Sequence, residues 1–210
     1  MNIARYDSPY PGLSQRVQYS KGGIARRYWD YRDERILSYI RNERRILDIG
    51  CGEGITLQKL LYRFPEKNIS GIDVSQGNVE ICKKYGLPVG NGSVYNLEFD
   101  DESFDCCIFM EVIEHLKYPL KALKEIHRVL RNRGLLLLLF PNDLIFRLAR
   151  ILTFKFKEAF YNYEHLKQWT PREIRKVLKE NRFDILQQKS IPFHLWHCSL
   201  HHLVAARKKT

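Results

Sequence analysis

The sequence has no long run of hydrophobic residues. Its longest uninterrupted apolar stretch is Leu135–Phe140, whereas a helix that crosses a bilayer needs about 20 apolar residues. A stretch this short predicts a buried central strand instead. The region after Met1 has no apolar run of signal-peptide length. We therefore expect a cytoplasmic protein with no membrane-spanning segment.

Cysteine pairs are also lacking. The five cysteines are odd in number and show neither zinc-site spacing nor a disulfide framework. This argues against a secreted, disulfide-stapled domain and favours a reducing compartment. At 210 residues, one α/β domain can bury its core without such cross-links. The cysteines are Cys51, Cys82, Cys106, Cys107 and Cys198.

Acidic residues are scarce in the two flanks of the chain. Residues 1–44 hold nine basic and five acidic side chains, and residues 141–210 hold 14 basic and six acidic ones, whereas residues 45–140 are nearly neutral. Basic flanks favour an anionic acceptor or an anionic surface, such as nucleic acid or phospholipid headgroups. A well-solvated surface with no anionic partner explains the same imbalance.

The sequence does contain a glycine-rich turn. Ile46–Ile49 has the apolar character of a short buried strand, and an apolar-periodic segment through Leu57 and Leu61 predicts a helix after it. Between them lie Gly50, Gly52 and Gly54. Glycine at these positions lets the backbone take positive φ and lets a ligand approach the main chain closely.

The acids around this turn indicate which ligand it binds. A dinucleotide site needs the Gly-x-Gly-x-x-Gly spacing, and here the third glycine comes one residue early. Asp48 ends the strand and Glu53 lies within the turn, where both would repel a phosphate. They suit a cationic ligand without phosphate, and S-adenosylmethionine has this character.

A further acid follows at the distance expected for a ribose contact. Ile69–Val74 predicts the next strand, and Asp73 lies near its end, about 20 residues after the glycine turn. A carboxylate there can accept hydrogen bonds from both ribose hydroxyls. Each feature alone has a conformational explanation, but the three together favour a nucleoside site.

Four segments resemble the class I S-adenosylmethionine-dependent methyltransferases. They are LDIGCGEG at 47–54, GIDVS at 71–75, LEFDDESFDCCIFMEVIEHL at 97–116 and LKEIHRVLRNRGLLLLLFPN at 123–142. The resemblance implies an α/β, Rossmann-like, seven-stranded sheet with an antiparallel last strand. It also implies S-adenosyl-L-methionine as the methyl donor. Within the family, the ubiquinone-pathway O-methyltransferases look most similar.

The resemblance also implies which residues contact the cofactor. Asp48 and the glycine turn would contact the methionine part of the cofactor, and Asp73 and Val74 would contact the ribose. Met110 ends the fourth strand beside this site. Ser93 stands where relatives commonly carry an aspartate facing the adenine amino group, so the adenine contact is the weakest match. The implied set is Asp48, Gly50, Cys51, Gly52, Glu53, Gly54, Asp73, Val74, Ser93, Val94, Tyr95 and Met110.

Glu111, Glu114 and His115 follow the fourth strand and leave three roles open. With His165 as a fourth ligand they could bind one divalent cation, Mg²⁺ through the carboxylates or Zn²⁺ through the imidazoles. This pattern resembles the ubiquinone-pathway enzymes and the small-RNA 3′-terminal 2′-O-methyltransferases. Without a metal, His115 is the natural general base. Many relatives carry the same motif only as a structural turn.

Two other groups of residues are weaker candidates. His194, His197, Cys198 and His201 have the spacing of helical metal ligands, but we expect them to diverge because the region should form a strand and its lead-in loop. The segment 24–40 predicts an amphipathic helix beside the site, which makes Tyr28, Tyr31 and Arg32 acceptor-side candidates. Helix packing explains these three residues equally well.

We expect a single methyltransferase domain over residues 1–210. Its parts are an irregular arm and helix at 1–44, the cofactor-binding core at 45–140, a basic amphipathic helical insertion after strand five at 141–170, and the last helix with an edge hairpin at 171–210. The insertion interleaves Phe, Leu and Ile with Arg and Lys, so it either lies on an anionic membrane face or packs on the domain.

The expected function is O-methylation of a small-molecule or lipid-linked acceptor, with the enzyme peripheral at a membrane face. Two alternatives remain open. The basic C-terminal segment fits a methyltransferase acting on RNA or another nucleic acid. The third possibility is a cofactor-binding partner protein without catalysis. The acceptor, the methylated atom and the oligomeric state do not follow from the sequence.

Overall fold

The structure is a computed structural model that describes residues 14–145, 148 and 165–210. Its centre is a seven-stranded sheet with the order β3-β2-β1-β4-β5-β7-β6. The strands from β3 to β5 are parallel, and β7 runs antiparallel to both of its neighbours. The predicted fold class is therefore confirmed. The strands are β1 Arg45–Ile49, β2 Asn68–Asp73, β3 Val89–Asn91, β4 Phe104–Met110, β5 Leu130–Pro141, β6 Phe183–Ile191 and β7 His201–Lys208.

The apolar run of β5 is buried because both faces of the sheet are covered. Leu136 and Leu138 pack into the hydrophobic cluster on one face, and Leu137 and Leu139 pack into the cluster on the other. A strand covered on both sides needs apolar residues at every position rather than at alternate ones. This explains why a short unbroken run of leucines marks the centre of the sheet.

Six described helices surround the sheet: α1 Gln15–Ser20, α2 Gly23–Leu37, α3 Ile55–Arg63, α4 Gln76–Lys84, α5 Pro119–Val129 and α6 Pro171–Glu180. The start of α6 follows from its sequence. The Thr170 hydroxyl accepts from the Glu173 N–H, the Glu173 carboxylate accepts from the Thr170 N–H, and Pro171 occupies the first turn. This confirms the predicted position of the helix.

Two local expectations differ from the structure. The expected irregular arm is helical over Gln15–Ser20, because Ser14 caps the helix and Glu53, distant in sequence, accepts from its first N–H groups. The strand expected to begin at Leu135 begins at Leu130, since a bulge accommodates Arg133 with φ of 61°. The predicted amphipathic insertion lies mostly outside the described residues.

The carboxyl ends of the parallel strands place five connections at one edge of the sheet. Gly50–Gly54 follows β1, Val74 follows β2, residues 111–118 follow β4, residues from Asn142 follow β5, and residues 192–200 join β6 to β7. Open α/β sheets bind their ligands at this edge. Within the described residues, no helix is long and apolar enough to cross a membrane.

Candidate functional site

Gly50 and Gly54 occupy positions in the glycine turn that disfavour any side chain. Gly50 has φ of 71°, and a Cβ built on it would come within 2.4 Å of the Val112 Cγ2 atom. Gly54 has φ of 76°, and its Cβ would meet the Leu87 side chain at 2.5 Å. Positive φ already disfavours other residues, and the close neighbours exclude them further. The turn is thus pressed between the connection after β4 and the segment before β3.

Asp73 joins the end of β2 to the glycine turn. One carboxylate oxygen accepts from the Gly52 N–H at 2.8 Å, and the other accepts from Ser75 N–H at 2.9 Å and from the Asn78 side chain at 3.1 Å. The carboxylate is nearly buried. The structure therefore brings the predicted ribose ligand and the predicted turn into direct contact.

Asp48 is a buried acid beneath the same turn. Burial, aided by the nearby carboxylates of Asp33 and Asp73 and opposed by Arg32, raises the pKa of Asp48 to about 7. Removing a carboxylate from water disfavours its charged form, and negative neighbours add to the effect. A cationic ligand beside Asp48 would relieve this cost.

Glu53 lies elsewhere than predicted. We expected it at the cationic end of the cofactor, but its two oxygens accept from the Ser14 hydroxyl at 2.7 Å and from the backbone N–H groups of Gln15 and Arg16 at 3.0 and 2.8 Å. An acid here caps α1 and stabilises the free N–H groups of its first turn. Glu53 therefore holds the start of α1 against the glycine turn.

The remaining predicted cofactor residues lie around the same edge. Cys51 is buried next to Cys82, and a hydrogen bond to Cys82 together with burial raises the pKa of the Cys51 thiol. Val74 is half-exposed after β2, and Val94 is buried in the loop after β3. Ser93 Oγ accepts from the Tyr95 N–H at 3.3 Å. Met110 ends β4 and is partly buried.

Glu111 has two partners that come from distant parts of the chain. Arg32 on α2 donates to one carboxylate oxygen at 2.8 Å, and the Nε2 atom of His201 at the start of β7 binds the other. Glu111 itself has a positive φ of 52°, which is uncommon for a residue with a Cβ. Burial raises its pKa, but the charge of Arg32 and the hydrogen bond from His201 outweigh this, so the pKa of Glu111 lies well below its usual range.

Glu114 is only three residues away and has the opposite environment. Its side chain is 2% exposed, and neither carboxylate oxygen has a hydrogen-bond partner. Burial holds the pKa of Glu114 well above its usual range, and the charges of Glu111 and Asp143 add to the effect. A buried polar group without a partner is costly and calls for an explanation.

Ligand atoms of Glu114, His115 and His165 lie within 4.8 Å of one another. The His165 Nδ1 atom is 2.8 Å from the Asp143 carboxylate, the kind of outer contact that orients a metal-binding histidine. The structure therefore brings together three of the four predicted metal ligands. Glu111 is not among them, because Arg32 and His201 occupy its carboxylate.

The second histidine group diverges as expected. His194, His197 and Cys198 are exposed, whereas His201 is buried. The sequence analysis did not connect His201 with Glu111 or Arg32, nor Asp143 with His165. One signal was available for Arg32: this charged residue lies one turn before the buried Ile36 on the inner face of α2.

Part of the chain is similar in sequence to known methyltransferases. Residues 47–138 match a family described as "Methyltransferase domain". A phthiotriol/phenolphthiotriol dimycocerosates methyltransferase of Mycobacterium tuberculosis is 33% identical over 95 residues, which is 43% of this chain and 35% of that protein. The match thus spans about a third of the relative's length.

Two solved structures have the same fold over most of their length. One is an S-adenosylmethionine-dependent methyltransferase of Thermotoga maritima, described as a possible histamine N-methyltransferase, with a TM-score of 0.70, 22% identity and coverage of 92% of this chain and 96% of that one. The other is a complex between the Trm112 methyltransferase activator of Haloferax volcanii and a methyltransferase, with a TM-score of 0.70, 18% identity and coverage of 93% and 95%.

Proposed function

We propose that this chain, which belongs to the class I S-adenosylmethionine-dependent methyltransferases, transfers a methyl group to an oxygen of a small-molecule or lipid-linked acceptor. The main support is the acidic cradle at the carboxyl edge, where Asp73 contacts the glycine turn at Gly52 and Asp48 is buried beneath it. These carboxylates suit a ligand with hydroxyl donors and positive charge.

S-adenosylmethionine would supply an electrophilic methyl group on a sulfonium. In this proposal Asp73 binds the ribose hydroxyls beside the glycine turn, where Gly50 packs against Val112 and Gly52 packs against the Gln15 side chain. The charge of Asp48 favours the cationic donor over its neutral product. Val74 and the loop of Ser93, Val94 and Tyr95 border the adenine side.

Exposed apolar side chains at the same edge support an apolar acceptor. Leu144 and Leu148 follow β5, Leu166 precedes α6, and Phe193 and Leu195 lie between β6 and β7, and each exposes 46–68% of its surface. Asn142 links two of these connections, because its side chain donates to the Trp196 carbonyl at 2.8 Å. Exposed apolar groups near a binding edge favour an apolar or membrane-held acceptor, in line with the dimycocerosate named for the mycobacterial relative.

Calorimetry with S-adenosylmethionine and its demethylated product tests the cofactor assignment. We expect both to bind, and we expect Asp73→Asn to weaken binding by about 10-fold to 100-fold, the value of a hydrogen bond to a charged group. Asp100→Asn, at an exposed acid away from the turn, is the matched control. No heat with either ligand would contradict the proposal.

Turnover and membrane binding test the acceptor. Cell extract incubated with methyl-labelled cofactor should yield a labelled, organic-extractable product. The wild-type chain should float with anionic vesicles, and the double variant Phe193→Ser, Leu195→Ser should float less. Tight cofactor binding without any labelled product would instead favour the partner protein without catalysis.

A divalent cation at Glu114, His115 and His165 is a further part of the proposal. The partnerless buried carboxylate of Glu114 supports it, since a cation would supply the missing partner. Two imidazoles with one carboxylate suit Zn²⁺ better than Mg²⁺. Calorimetric titration of chelator-treated protein with Zn²⁺ should give one site that His165→Ala abolishes. Equal heats in the variant would leave Glu114 as part of a structural turn.

The nucleic-acid alternative is supported by the outer face of α6. Arg172, Arg175, Lys176 and Lys179 line one open groove there. Phosphate contacts from such a surface would give RNA binding that falls steeply with salt. Strong RNA binding together with transfer of label to RNA would favour this function over the first.

A further inference from the structure

A hydrogen-bonded chain of three side chains runs from α2 to the end of β4. The Tyr28 hydroxyl lies 2.6 Å from the His201 Nδ1 atom, and the His201 Nε2 atom binds one oxygen of Glu111. The Tyr28 and His201 rings also stack, with centroids 5.6 Å apart. The three residues come from three separate segments of the chain, so only the fold brings them together.

The partners of His201 fix the direction of these hydrogen bonds. Arg32 and His201 hold the pKa of Glu111 low, so Glu111 is a carboxylate and can only accept. Arg32, which is 6% exposed, already supplies a positive charge to this carboxylate at 2.8 Å. His201 therefore carries its proton on Nε2, and its Nδ1 atom accepts from the Tyr28 hydroxyl.

The chain ends beside the glycine turn. Glu111 is followed by Val112, whose side chain fills the space against Gly50. His201 is buried, whereas Tyr28 and Glu111 are both partly exposed. Arg32 and His201 already bind the two oxygens of Glu111, so the phenol is the member of the chain that we expect to meet an acceptor hydroxyl at this edge. Arg32 and Tyr31 on the same helix and the Ile191 carbonyl at the end of β6 also lie near Tyr28.

We propose that Tyr28 is a catalytic residue that takes the proton of the acceptor hydroxyl, with His201 and Glu111 acting through it as a relay. The acceptor O–H bond breaks, and its electron pair forms the new bond to the methyl carbon. The bond from that carbon to sulfur breaks with its pair on sulfur. The acceptor proton passes to Tyr28 Oη as the phenol proton passes to His201 Nδ1, and Glu111 stabilises the resulting imidazolium.

This arrangement avoids a free phenolate. Burial raises the pKa of the Tyr28 phenol above its usual value, even though Arg32 lowers it. Tyr28 alone would therefore be a poor base near neutral pH, and the imidazole behind it accepts its proton. Tyr28 is thus a base that His201 orients, and Glu111 in turn orients His201. The inference rests on the proposed methyl transfer to oxygen.

Tyr28→Phe is the first test, with Tyr39→Phe as the matched control. The Tyr28→Phe variant keeps the ring that stacks on His201 and loses only the hydroxyl. Tyr39 follows α2, and its hydroxyl donates to the Gln187 side chain at 2.7 Å, not to His201. We expect Tyr28→Phe to lower kcat by about 100-fold or more and to leave cofactor affinity unchanged. Tyr39→Phe should keep kcat within about threefold.

NMR of isotope-labelled histidine side chains gives a readout independent of turnover. The wild-type His201 should show the Nε2-protonated tautomer, with an Nδ1 resonance that shifts in Tyr28→Phe and not in Tyr39→Phe. An Nδ1-protonated His201, or equal kcat losses in the two variants, would overturn the relay. If the wild-type protein binds cofactor but methylates no oxygen acceptor, the proposed function fails and the proton-transfer role fails with it. NMR then decides only whether the hydrogen-bonded chain exists.

Discussion

Glu111 and Glu114 lie on the same short turn after β4, yet their surroundings shift the pKa values of the two carboxyl groups in opposite directions. Glu111 is bound by Arg32 and His201 and is held in its charged form. Glu114 is buried without a partner, and burial favours its neutral form. Paired acids whose environments separate their pKa values are typical of active sites. The turn therefore carries one carboxylate held in its charged form by two partners and one buried carboxyl whose neutral form is favoured.

The difference arises from what each side of the turn faces. Glu111 points toward α2 and the start of β7, which supply a guanidinium and an imidazole. The backbone carbonyl of Glu114 accepts from the N–H groups of Leu166 and Lys167, so this side of the turn faces the segment before α6. The neighbouring side chains there are two histidines. One turn thus presents two carboxylates to two unlike surroundings.

The largest effect should come from removing the cation that holds Glu111. Arg32→Met leaves Glu111 and the buried Asp33 without the guanidinium that binds both. Breaking one side of a buried ion pair typically costs about 3–5 kcal/mol of unfolding free energy. Chemical denaturation measures this loss. Arg35→Met, at an exposed position on the same helix, should cost less than about 0.5 kcal/mol. Equal losses of unfolding free energy in the two variants would show that the charge of Arg32 does not stabilise the fold.

Asp48 supplies an intermediate case with a defined pH dependence. Its pKa of about 7 in the folded protein lies above the value of about 3.9 in an unfolded chain. The folded state therefore binds this proton more tightly, so the Asp48 contribution to stability is complete below about pH 4 and is lost as the pH rises toward about 7. Asp48→Asn should be more stable than wild type at pH 8 by about 2–4 kcal/mol.

Denaturation at a series of pH values checks this expectation. The difference between Asp48→Asn and wild type should grow from about pH 4 to about pH 7 and then level off. Asp100→Asn, at an exposed acid, should track wild type. Cofactor affinity should fall in Asp48→Asn, because the buried charge that destabilises the free protein is the one proposed to favour the cationic donor. A pH-independent difference would contradict the assignment.

Much of the sheet could be predicted because its signals are local. The glycine turn after β1, the acid near the end of β2 and the leucine run in β5 each occupy a few consecutive residues. The cofactor edge follows from them, since parallel strands end together. The bulge at Arg133 and the helix at Gln15–Ser20 could not be predicted, because the first depends on strand register and the second on a cap from Glu53.

The candidate site could be predicted only as a set of residues. Glu111, Glu114, His115 and His165 were named from the sequence, but nothing local distinguishes the two glutamates. The partners of Glu111 lie 79 and 90 residues away in the chain. Only the order of strands and the path of α2 bring them together. Pairings of this kind follow from topology and not from spacing.

The smallest expected effect on stability comes from comparing glutamine variants of Glu111 and Glu114. Glu111→Gln removes the charge that Arg32 and His201 bind, and losing hydrogen bonds to a charged group should cost about 1.5–3 kcal/mol. Glu114→Gln keeps the shape of a neutral carboxyl, so at pH 6 without metal its stability should stay within about 1 kcal/mol of wild type. Each variant replaces one carboxyl oxygen by an amide nitrogen. Because the two positions are only three residues apart, each variant serves as the control for the other. Thermal unfolding in the presence of chelator measures both. Equal losses would mean that Glu114 is charged and paired like Glu111, and the division of the turn would then be wrong.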